Sequence, residues 1–255
     1  MTSSFTSMLL AGLLILDLDD LEYRLPIIQN LKNKEMHDAW ERVSGLVVQP
    51  GVEYGDDQIF KYNRKNTRAL SKLILGYENL VYEAHSTDFQ TETSLKELVE
   101  DHFCILKVGT WLTFAFRKAL FALEAMEVEI LGKNNPDLSK LSATLDNVIV
   151  SNSKYWSSYY KGEEKEMLFK RKFSFSDRSR YYWPDNNLER SKEKLCFNLT
   201  KHKIPLSVLS QFMPAQFSRV CEGQLTINPI DLVYSHIRNV AGVYSRACGL
   251  KSSNK

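Results

Sequence analysis

The stretch Leu80-Val-Tyr-Glu-Ala-His-Ser-Thr-Asp88 decides the fold, because an apolar run of strand length passes directly into a row of polar residues. A second run, Phe103-Cys-Ile-Leu-Lys-Val-Gly109, repeats this layout. Between the two lies Ser94-Leu-Lys-Glu-Leu-Val-Glu-Asp101, which has the spacing of a short amphipathic helix. Strand, polar loop, helix and strand form the βα unit of a parallel sheet. Such sheets bind ligands at the carboxyl ends of their strands, so the two runs also indicate where a site would lie.

Further segments extend this pattern along the chain. Val43-Ser-Gly-Leu-Val-Val-Gln49 is predicted as a strand, and Arg178-Ser-Arg-Tyr-Tyr-Trp183 has the aromatic content of another before Pro184. The three strands near residues 46, 81 and 105 have helical spacers and no hairpin signals, so we expect right-handed parallel crossovers. No single structure is assigned to 155–176. Helices are predicted over residues 21–41, 67–75, 112–131, 138–150, 187–199, 206–212, 215–222 and 231–247.

The composition is that of a soluble protein with no nucleic-acid or membrane partner. The 255 residues carry 33 Lys and Arg against 31 Asp and Glu, a net charge of +2. The longest apolar run, Met8–Leu16, is shorter than the roughly 20 residues of a transmembrane helix and lacks signal-peptide flanks, so we expect a buried strand or helix there. The absence of CxxC spacing favours buried reduced thiols and a cytoplasmic location; the four cysteines are Cys104, Cys196, Cys221 and Cys248.

Four side chains at the predicted strand ends are candidates for catalysis. Glu83 lies at the end of one strand and His85 and Asp88 follow it; His85 is a general base, a metal ligand or a hydrogen-bonded structural histidine. Lys107 lies at the end of the next strand; it acts as a buried amine that reacts or binds phosphate, or it forms a salt bridge with Glu83 or Asp88. The chain contains no His-x-His or His-x-x-x-His pair, so we predict no metal site.

Three further residues are candidates for binding a substrate. Glu53 lies in the loop after the strand at 43–49, Ser86 belongs to the polar row, and Gly109 lacks a Cβ, which lets a ligand or backbone approach closely. The aromatic cluster Tyr181–Trp183 stacks on a sugar or belongs to the core. The chain has no Gly-x-x-x-x-Gly-Lys-Ser/Thr and no Gly-x-Gly-x-x-Gly motif, which disfavours a kinase and a dinucleotide-binding protein.

Several stretches of the chain resemble the accessory subunit of D-tagatose-1,6-bisphosphate aldolase. The likeness runs in order from Asp38 to Gly249. The stretches that carry it include Val47-Val-Gln-Pro-Gly-Val-Glu-Tyr54, Val81-Tyr-Glu-Ala-His-Ser-Thr-Asp-Phe-Gln-Thr91, Leu98-Val-Glu-Asp-His-Phe-Cys-Ile-Leu-Lys-Val-Gly109, Ser176-Asp-Arg-Ser-Arg-Tyr-Tyr-Trp-Pro184 and Ile204-Pro-Leu-Ser-Val-Leu-Ser-Gln-Phe-Met-Pro-Ala-Gln-Phe217.

The resemblance implies an α/β, partial TIM-barrel-like fold related to the zinc-dependent class II aldolases. In that family the subunit is generally non-catalytic, and it supports a catalytic class II subunit in the breakdown of galactitol and N-acetylgalactosamine through tagatose 6-phosphate. The resemblance therefore implies a catalytic partner that carries the zinc, no cofactor on this chain, and a sugar phosphate as a ligand. Older naming of the family as a tagatose-6-phosphate kinase is not supported by the motifs of this chain.

Family members are longer at the N-terminus, and their early barrel segments have no counterpart here. We therefore expect a poorly matching segment over 1–37, the C-terminal half of a barrel over 38–184 and a helical extension over 185–255. Four strands are too few for a barrel that closes with eight.

Three functions remain open from the sequence. The first is an accessory aldolase subunit. The second is a ketose-phosphate aldolase or epimerase that acts directly, because some relatives are associated with epimerising ketose phosphates. The third is a non-functional truncated remnant. Only the second uses the strand-end side chains as reactive groups, namely His85, Glu83, Asp88 and Lys107.

Overall fold

The structure, a computed structural model, describes residues 13–15 and 41–250. The described residues fall into two compact units. The first contains residues 13–15, 41–54, 58–109 and 243–250, and the second contains residues 55–57 and 110–242. The predicted helix over 21–41 lies outside the described residues, except for its last position.

A parallel sheet of four strands forms the centre of the first unit. Its strands are β1 (Leu13–Ile15), β2 (Gly45–Val48), β5 (Val81–Ala84) and β6 (Ile105–Leu106), in the order β1-β2-β5-β6. The short strands β3 (Glu53–Tyr54) and β4 (Ile59–Phe60) pair antiparallel in a separate ribbon. The helices of this unit are α1 (Arg64–Ile74) and α2 (Glu92–Glu100). The predicted strands near 46, 81 and 105 and their parallel pairing are confirmed.

Burial explains why these segments take these structures. All four positions of β2 are buried, as expected for an interior strand of a parallel sheet. Leu70 of α1 and Leu98 of α2 join the same apolar cluster as β5, so both helices cover the sheet. Asn63 and Thr91 are the N-cap residues of the two helices. Their side-chain oxygens accept hydrogen bonds from backbone N–H groups of the first turn.

The second unit is helical. Its apolar core includes Leu123, Leu145, Leu195 and Leu209, none of which is exposed. The helices predicted from residue 112 onward are confirmed, with their ends shifted by up to three residues. They are α3 (Thr110–Leu131), α4 (Leu141–Ser151), α6 (Asn186–His202), α7 (Leu206–Phe212), α8 (Pro214–Cys221) and α9 (Pro229–Ala247), and α5 (Glu164–Phe173) adds a helix inside the unassigned segment. The last part of α9, from Val243 onward, belongs to the first unit.

The predicted strand at 178–183 is wrong, because Arg178–Tyr181 forms a turn of 3₁₀ helix. Asp177 precedes the turn with a left-handed φ of 41°, which an extended strand does not allow. Its carboxylate accepts a hydrogen bond from the Ser179 hydroxyl at 2.6 Å and so closes the turn. Tyr182 and Trp183 are buried, so the aromatic run reflects the core of a helical unit and not a strand.

Three smaller predictions also need correction. The run at 103–108 forms a strand only at Ile105–Leu106, which lies at one edge of the described sheet, and Ile105 is exposed. Cys104 is exposed rather than buried, because this edge strand has no neighbour on its outer side among the described strands. Glu53 lies in β3 and not in a plain loop, so one hairpin exists that the sequence did not signal.

The fold is therefore mixed α/β, mostly helical with a parallel sheet, and consistent with part of a TIM-barrel-like architecture. Within residues 13–15 and 41–250 the strands form an open sheet and no closed barrel. None of the described helices combines the length and the apolar character needed to cross a membrane.

Candidate functional site

The candidate site lies at the carboxyl edge of the parallel sheet, in the first unit. β2, β5 and β6 are neighbours and run in the same direction, so the residues that follow them gather at one edge. Glu83 pairs with Val47 on one side and with Ile105 on the other, which puts β5 between the other two strands. The polar row after β5 is therefore the middle of the site.

Glu83 and His85 form a hydrogen-bonded pair. Glu83 Oε1 lies 2.9 Å from His85 Nε2, and both side chains are largely buried. The two residues are separated by one position, and alternate residues of an extended segment point to the same face. A carboxylate beside an imidazole holds the ring in one orientation. Glu83 therefore positions the ring of His85 at the strand edge.

Ser86 and Glu53 bring the polar row into contact with β3. The Ser86 hydroxyl donates to Glu53 Oε2 at 3.1 Å, while Glu53 Oε1 accepts from the backbone N–H of Tyr54 at 2.9 Å. Ser86 has a left-handed φ of 56°, which turns the chain sharply after β5. Two candidate binding residues, 33 positions apart, are therefore neighbours in the fold.

Asp88 and Gly109 join the ends of β5 and β6. The backbone N–H of Gly109 donates to Asp88 Oδ1 at 2.9 Å, and Asp88 is buried. A Cβ added at Gly109 would meet no atom of the described chain within 4 Å, so the space beside this residue is open. Asp88 therefore acts as an anchor of the loop, and Gly109 is the position where a ligand has room to approach.

Lys107 is exposed and forms no salt bridge with Glu83 or Asp88. The predicted salt bridge of Lys107 is therefore wrong. The reason is that Glu83 is engaged with His85 and Asp88 with the backbone of Gly109. The backbone of Lys107 holds the edge together instead, because its N–H donates to Ala84 O at 3.0 Å. Its ammonium group remains available as a surface cation rather than a buried amine.

Thr87 and Tyr244 are the residues that sequence reasoning missed. The Thr87 hydroxyl donates to the carbonyl of Lys107 at 2.8 Å and lies 3.1 Å from the Tyr244 hydroxyl. Tyr244 belongs to α9 and donates to the Thr87 carbonyl at 2.9 Å. Burial raises the pKa of Tyr244, so the phenol keeps its proton and remains a donor. No local motif signals this contact, since the two residues lie 157 positions apart.

The described residues do not form a metal site of their own. Nowhere in residues 13–15 and 41–250 do three His, Cys, Asp or Glu side chains come close enough to hold one ion. At the strand edge, the histidine has a single carboxylate neighbour, which is fewer protein ligands than zinc sites use. The side chains of this edge are suited to hydrogen bonding.

Comparison with known proteins identifies relatives of this chain. The probable tagatose 6 phosphate kinase from Sinorhizobium meliloti 1021, a crystal structure, is 34% identical and superposes with a TM-score of 0.82. The match covers 89% of this chain and 59% of that one, so this chain spans about three fifths of the length of that relative.

A family model agrees with that structural match. The model described as D-tagatose-1,6-bisphosphate aldolase subunit GatZ/KbaZ-like matches residues 18–249, which includes every residue of the strand edge. The resemblance inferred from the sequence stretches is thereby confirmed. This chain belongs to the family of GatZ/KbaZ-like subunits of D-tagatose-1,6-bisphosphate aldolase.

Proposed function

We propose that this chain is an accessory, non-catalytic subunit of a D-tagatose-1,6-bisphosphate aldolase. It supports the activity and stability of a separate class II subunit, which carries the zinc and cleaves tagatose bisphosphate into two triose phosphates. The observation that carries the proposal is the family match over residues 18–249. The proposed setting is the cytoplasmic breakdown of tagatose 6-phosphate from galactitol or N-acetylgalactosamine. Phosphate transfer is not part of the proposal, because the chain has no Gly-x-x-x-x-Gly-Lys-Ser/Thr motif.

A sugar phosphate is the ligand proposed for the strand edge. Lys107 supplies an exposed cation for the phosphate, and the open space beside Gly109 admits the sugar. The Glu53 carboxylate and the Ser86 hydroxyl offer an acceptor and a donor to sugar hydroxyls. Such a ligand would bind the folded chain only and would therefore stabilise it.

Reconstitution with the catalytic subunit tests the accessory role. Cleavage of tagatose 1,6-bisphosphate is measured for the catalytic subunit alone, for this chain alone, and for an equimolar mixture. We expect faster turnover in the mixture than in the catalytic subunit alone, and none from this chain alone. A mixture no faster than the catalytic subunit, or robust turnover by this chain alone, would count against the proposal.

Direct ketose-phosphate chemistry is a second candidate function, favoured by the 2.9 Å pair of Glu83 and His85. Proton transfer next to a carbonyl needs a base of this kind, and its loss typically lowers the rate by about 10²–10⁴-fold. His85→Asn should then reduce epimerisation or cleavage by at least about 100-fold. His102→Asn is a matched control, because His102 lies outside the pair and its φ of 73° suits asparagine. Equal turnover in His85→Asn and wild type would exclude this candidate.

A further inference from the structure

An exposed cluster of tyrosines and cations lies in the second unit, in segments that the proposed function does not use. We call it the tyrosine–cation patch. Tyr159 and Tyr181 are 57% and 41% exposed, which is unusual for such large rings in a well-packed helical unit. The patch consists of Tyr155, Tyr159 and Tyr181 together with Lys154, Arg178 and Arg180.

Aromatic faces and cations alternate within the patch. The rings of Tyr155 and Tyr181 stack with centroids 4.8 Å apart and planes 21° apart. The Arg178 guanidinium carbon lies 3.2 Å from the Tyr159 centroid, and that of Arg180 lies 4.8 Å from the Tyr181 centroid. A guanidinium over a ring keeps its N–H donors in its own plane, from which they reach an anion at the edge of the ring. One donor of Arg180 is already used, because Nη2 donates to the Tyr181 hydroxyl at 2.8 Å.

The patch rests on a fixed support. The backbone N–H of Arg178 donates to the hydroxyl of the buried Tyr160 at 3.2 Å. Tyr182, which follows the turn, is buried, and its hydroxyl donates to the carbonyl of Asn152 at 2.5 Å. These two hydrogen bonds join the segment 152–160 to the segment 178–182. The two segments that carry the patch are therefore fixed before a ligand binds, which lowers the entropic cost of binding.

The positive charge of the patch is not balanced by carboxylates of the described chain. Lys154, Arg178 and Arg180 take part in cation–π contacts, but in none of the ion pairs formed among the described residues. In addition, Arg178 Nε is buried and has no hydrogen-bond partner within the described part of the protein. A buried donor without a partner destabilises the fold, and a bound acceptor removes that cost. An anion bound to the guanidinium groups offsets the repulsion among three neighbouring cations.

We propose that the tyrosine–cation patch binds a phosphate ester. The phosphate contacts the guanidinium groups of Arg178 and Arg180, which present donors in a fork that matches phosphate oxygens. The remaining ring of the ester, either a nucleobase or the C–H face of a sugar, packs on an exposed tyrosine ring. This site uses residues of the second unit alone, so it does not depend on the function proposed for the strand edge.

Calorimetric titration of the full chain at low ionic strength tests the proposal. The probes are AMP, fructose 6-phosphate, inorganic phosphate and adenosine. We expect AMP or fructose 6-phosphate to bind at least about tenfold more tightly than adenosine, because adenosine has no phosphate to accept charge-assisted hydrogen bonds from the guanidinium groups. Tight binding of AMP alone identifies a nucleotide, and tight binding of fructose 6-phosphate alone identifies a sugar phosphate.

Two variants and one control assign the binding to the patch. Arg180→Gln removes a cation of the patch, and Tyr181→Leu removes an exposed ring. Each substitution should weaken the binding of the phosphate ester by about tenfold or more. Arg190→Gln makes the same charge change at an exposed position of α6 outside the patch and should leave affinity unchanged. The proposal is overturned if no ester binds, if Arg180→Gln leaves the affinity unchanged, or if Arg190→Gln weakens it equally.

Discussion

The Tyr244 hydroxyl donates a hydrogen bond to the Thr87 carbonyl at 2.9 Å, which ties α9 to the loop that follows β5. The same hydroxyl lies 3.1 Å from the Thr87 side chain, which in turn donates to the Lys107 carbonyl. One phenol from near the end of the chain therefore holds two strand ends of the candidate site. The geometry of the edge depends on a residue far from it in sequence.

Removal of this hydroxyl should destabilise the protein. Tyr244→Phe leaves the Thr87 carbonyl without its donor, so we expect the free energy of unfolding to fall by about 1–2 kcal/mol. Urea denaturation measures the change. Tyr234→Phe is the matched control, because Tyr234 lies in the same helix with its side chain exposed, and it should change stability by less than about 0.5 kcal/mol. Equal effects of the two variants would contradict the role given to Tyr244.

The buried ion pair of Arg117 and Asp177 should be the most sensitive electrostatic contact of the second unit. Arg117 Nη1 lies 2.5 Å from Asp177 Oδ1, and neither side chain is appreciably exposed. Burial lowers the pKa of Arg117, and the charge of Asp177 opposes that shift. Asp177→Asn keeps the size of the side chain and suits the left-handed backbone, so it isolates the charge. We expect a loss of about 3–5 kcal/mol in urea denaturation, because the guanidinium is left buried without a counter-charge.

An exposed ion pair supplies the control for that experiment. Glu100 contacts Arg64 at 3.0 Å, and both side chains are partly in solvent. Glu100→Gln should therefore cost less than about 1 kcal/mol. If Asp177→Asn costs no more than Glu100→Gln, the importance given to the buried pair is wrong.

Glu127 should be essential for the start of α4. Its carboxylate is fully buried and accepts from the Ser139 hydroxyl at 2.5 Å and from the Asn198 amide at 2.6 Å. An amide in place of this carboxylate keeps one acceptor oxygen and replaces the other with an N–H₂ donor, so one of the two bonds is lost and Glu127→Gln should cost about 2–3 kcal/mol of unfolding free energy. Thermal unfolding of Glu127→Gln and of the exposed control Glu129→Gln checks this. A similar midpoint for both variants would refute it.

Stability should fall in mild acid because of His236. Burial, assisted by the charge of Lys118, lowers the pKa of His236 to about 4, and its Nδ1 is buried without a partner among the described residues. An unfolded histidine has a pKa of about 6.5, so the unfolded chain binds more protons between pH 6.5 and pH 4. The free energy of unfolding therefore decreases as the pH falls through this window, by roughly 2–3 kcal/mol for this group.

The variant His236→Gln separates this contribution from the titration of carboxylates. Between pH 6.5 and pH 4 the stability of wild type should fall more steeply than that of His236→Gln, as measured by urea denaturation at each pH. His202→Gln, which removes an exposed imidazole from α6, should keep the wild-type slope. Parallel curves for wild type and His236→Gln would show that the pKa of His236 is the same in the folded and the unfolded chain, which would contradict this prediction.

The sheet was predictable because its signals are local. The apolar run at Val81–Ala84 and the polar row after it lie within nine residues of one another, so pattern alone located β5 and the polar residues at its carboxyl end. The long helix α3 was equally visible in its helix-forming composition. Parallel pairing followed from the helical spacer between β5 and β6.

The features that escaped prediction depend on distant contacts. The turn at Arg178–Tyr181 follows from the left-handed Asp177 and its bond with Arg117, 60 residues away, whereas the local aromatic content favoured a strand. The exposure of Lys107 follows from Glu83 having a nearer partner in His85. The contact of Tyr244 with Thr87 has no local signature at all, because the two residues meet only in the folded chain.

The thermal inactivation half-life of the catalytic aldolase subunit, titrated with this chain, tests the central claim most directly. An accessory subunit stabilises its partner by binding only the folded form, so the half-life should rise with added chain and level off at a fixed molar ratio. Heat-denatured chain should have no effect. A half-life that does not change at any ratio, with no complex detected by light scattering, would contradict the claim that this protein supports a separate catalytic subunit.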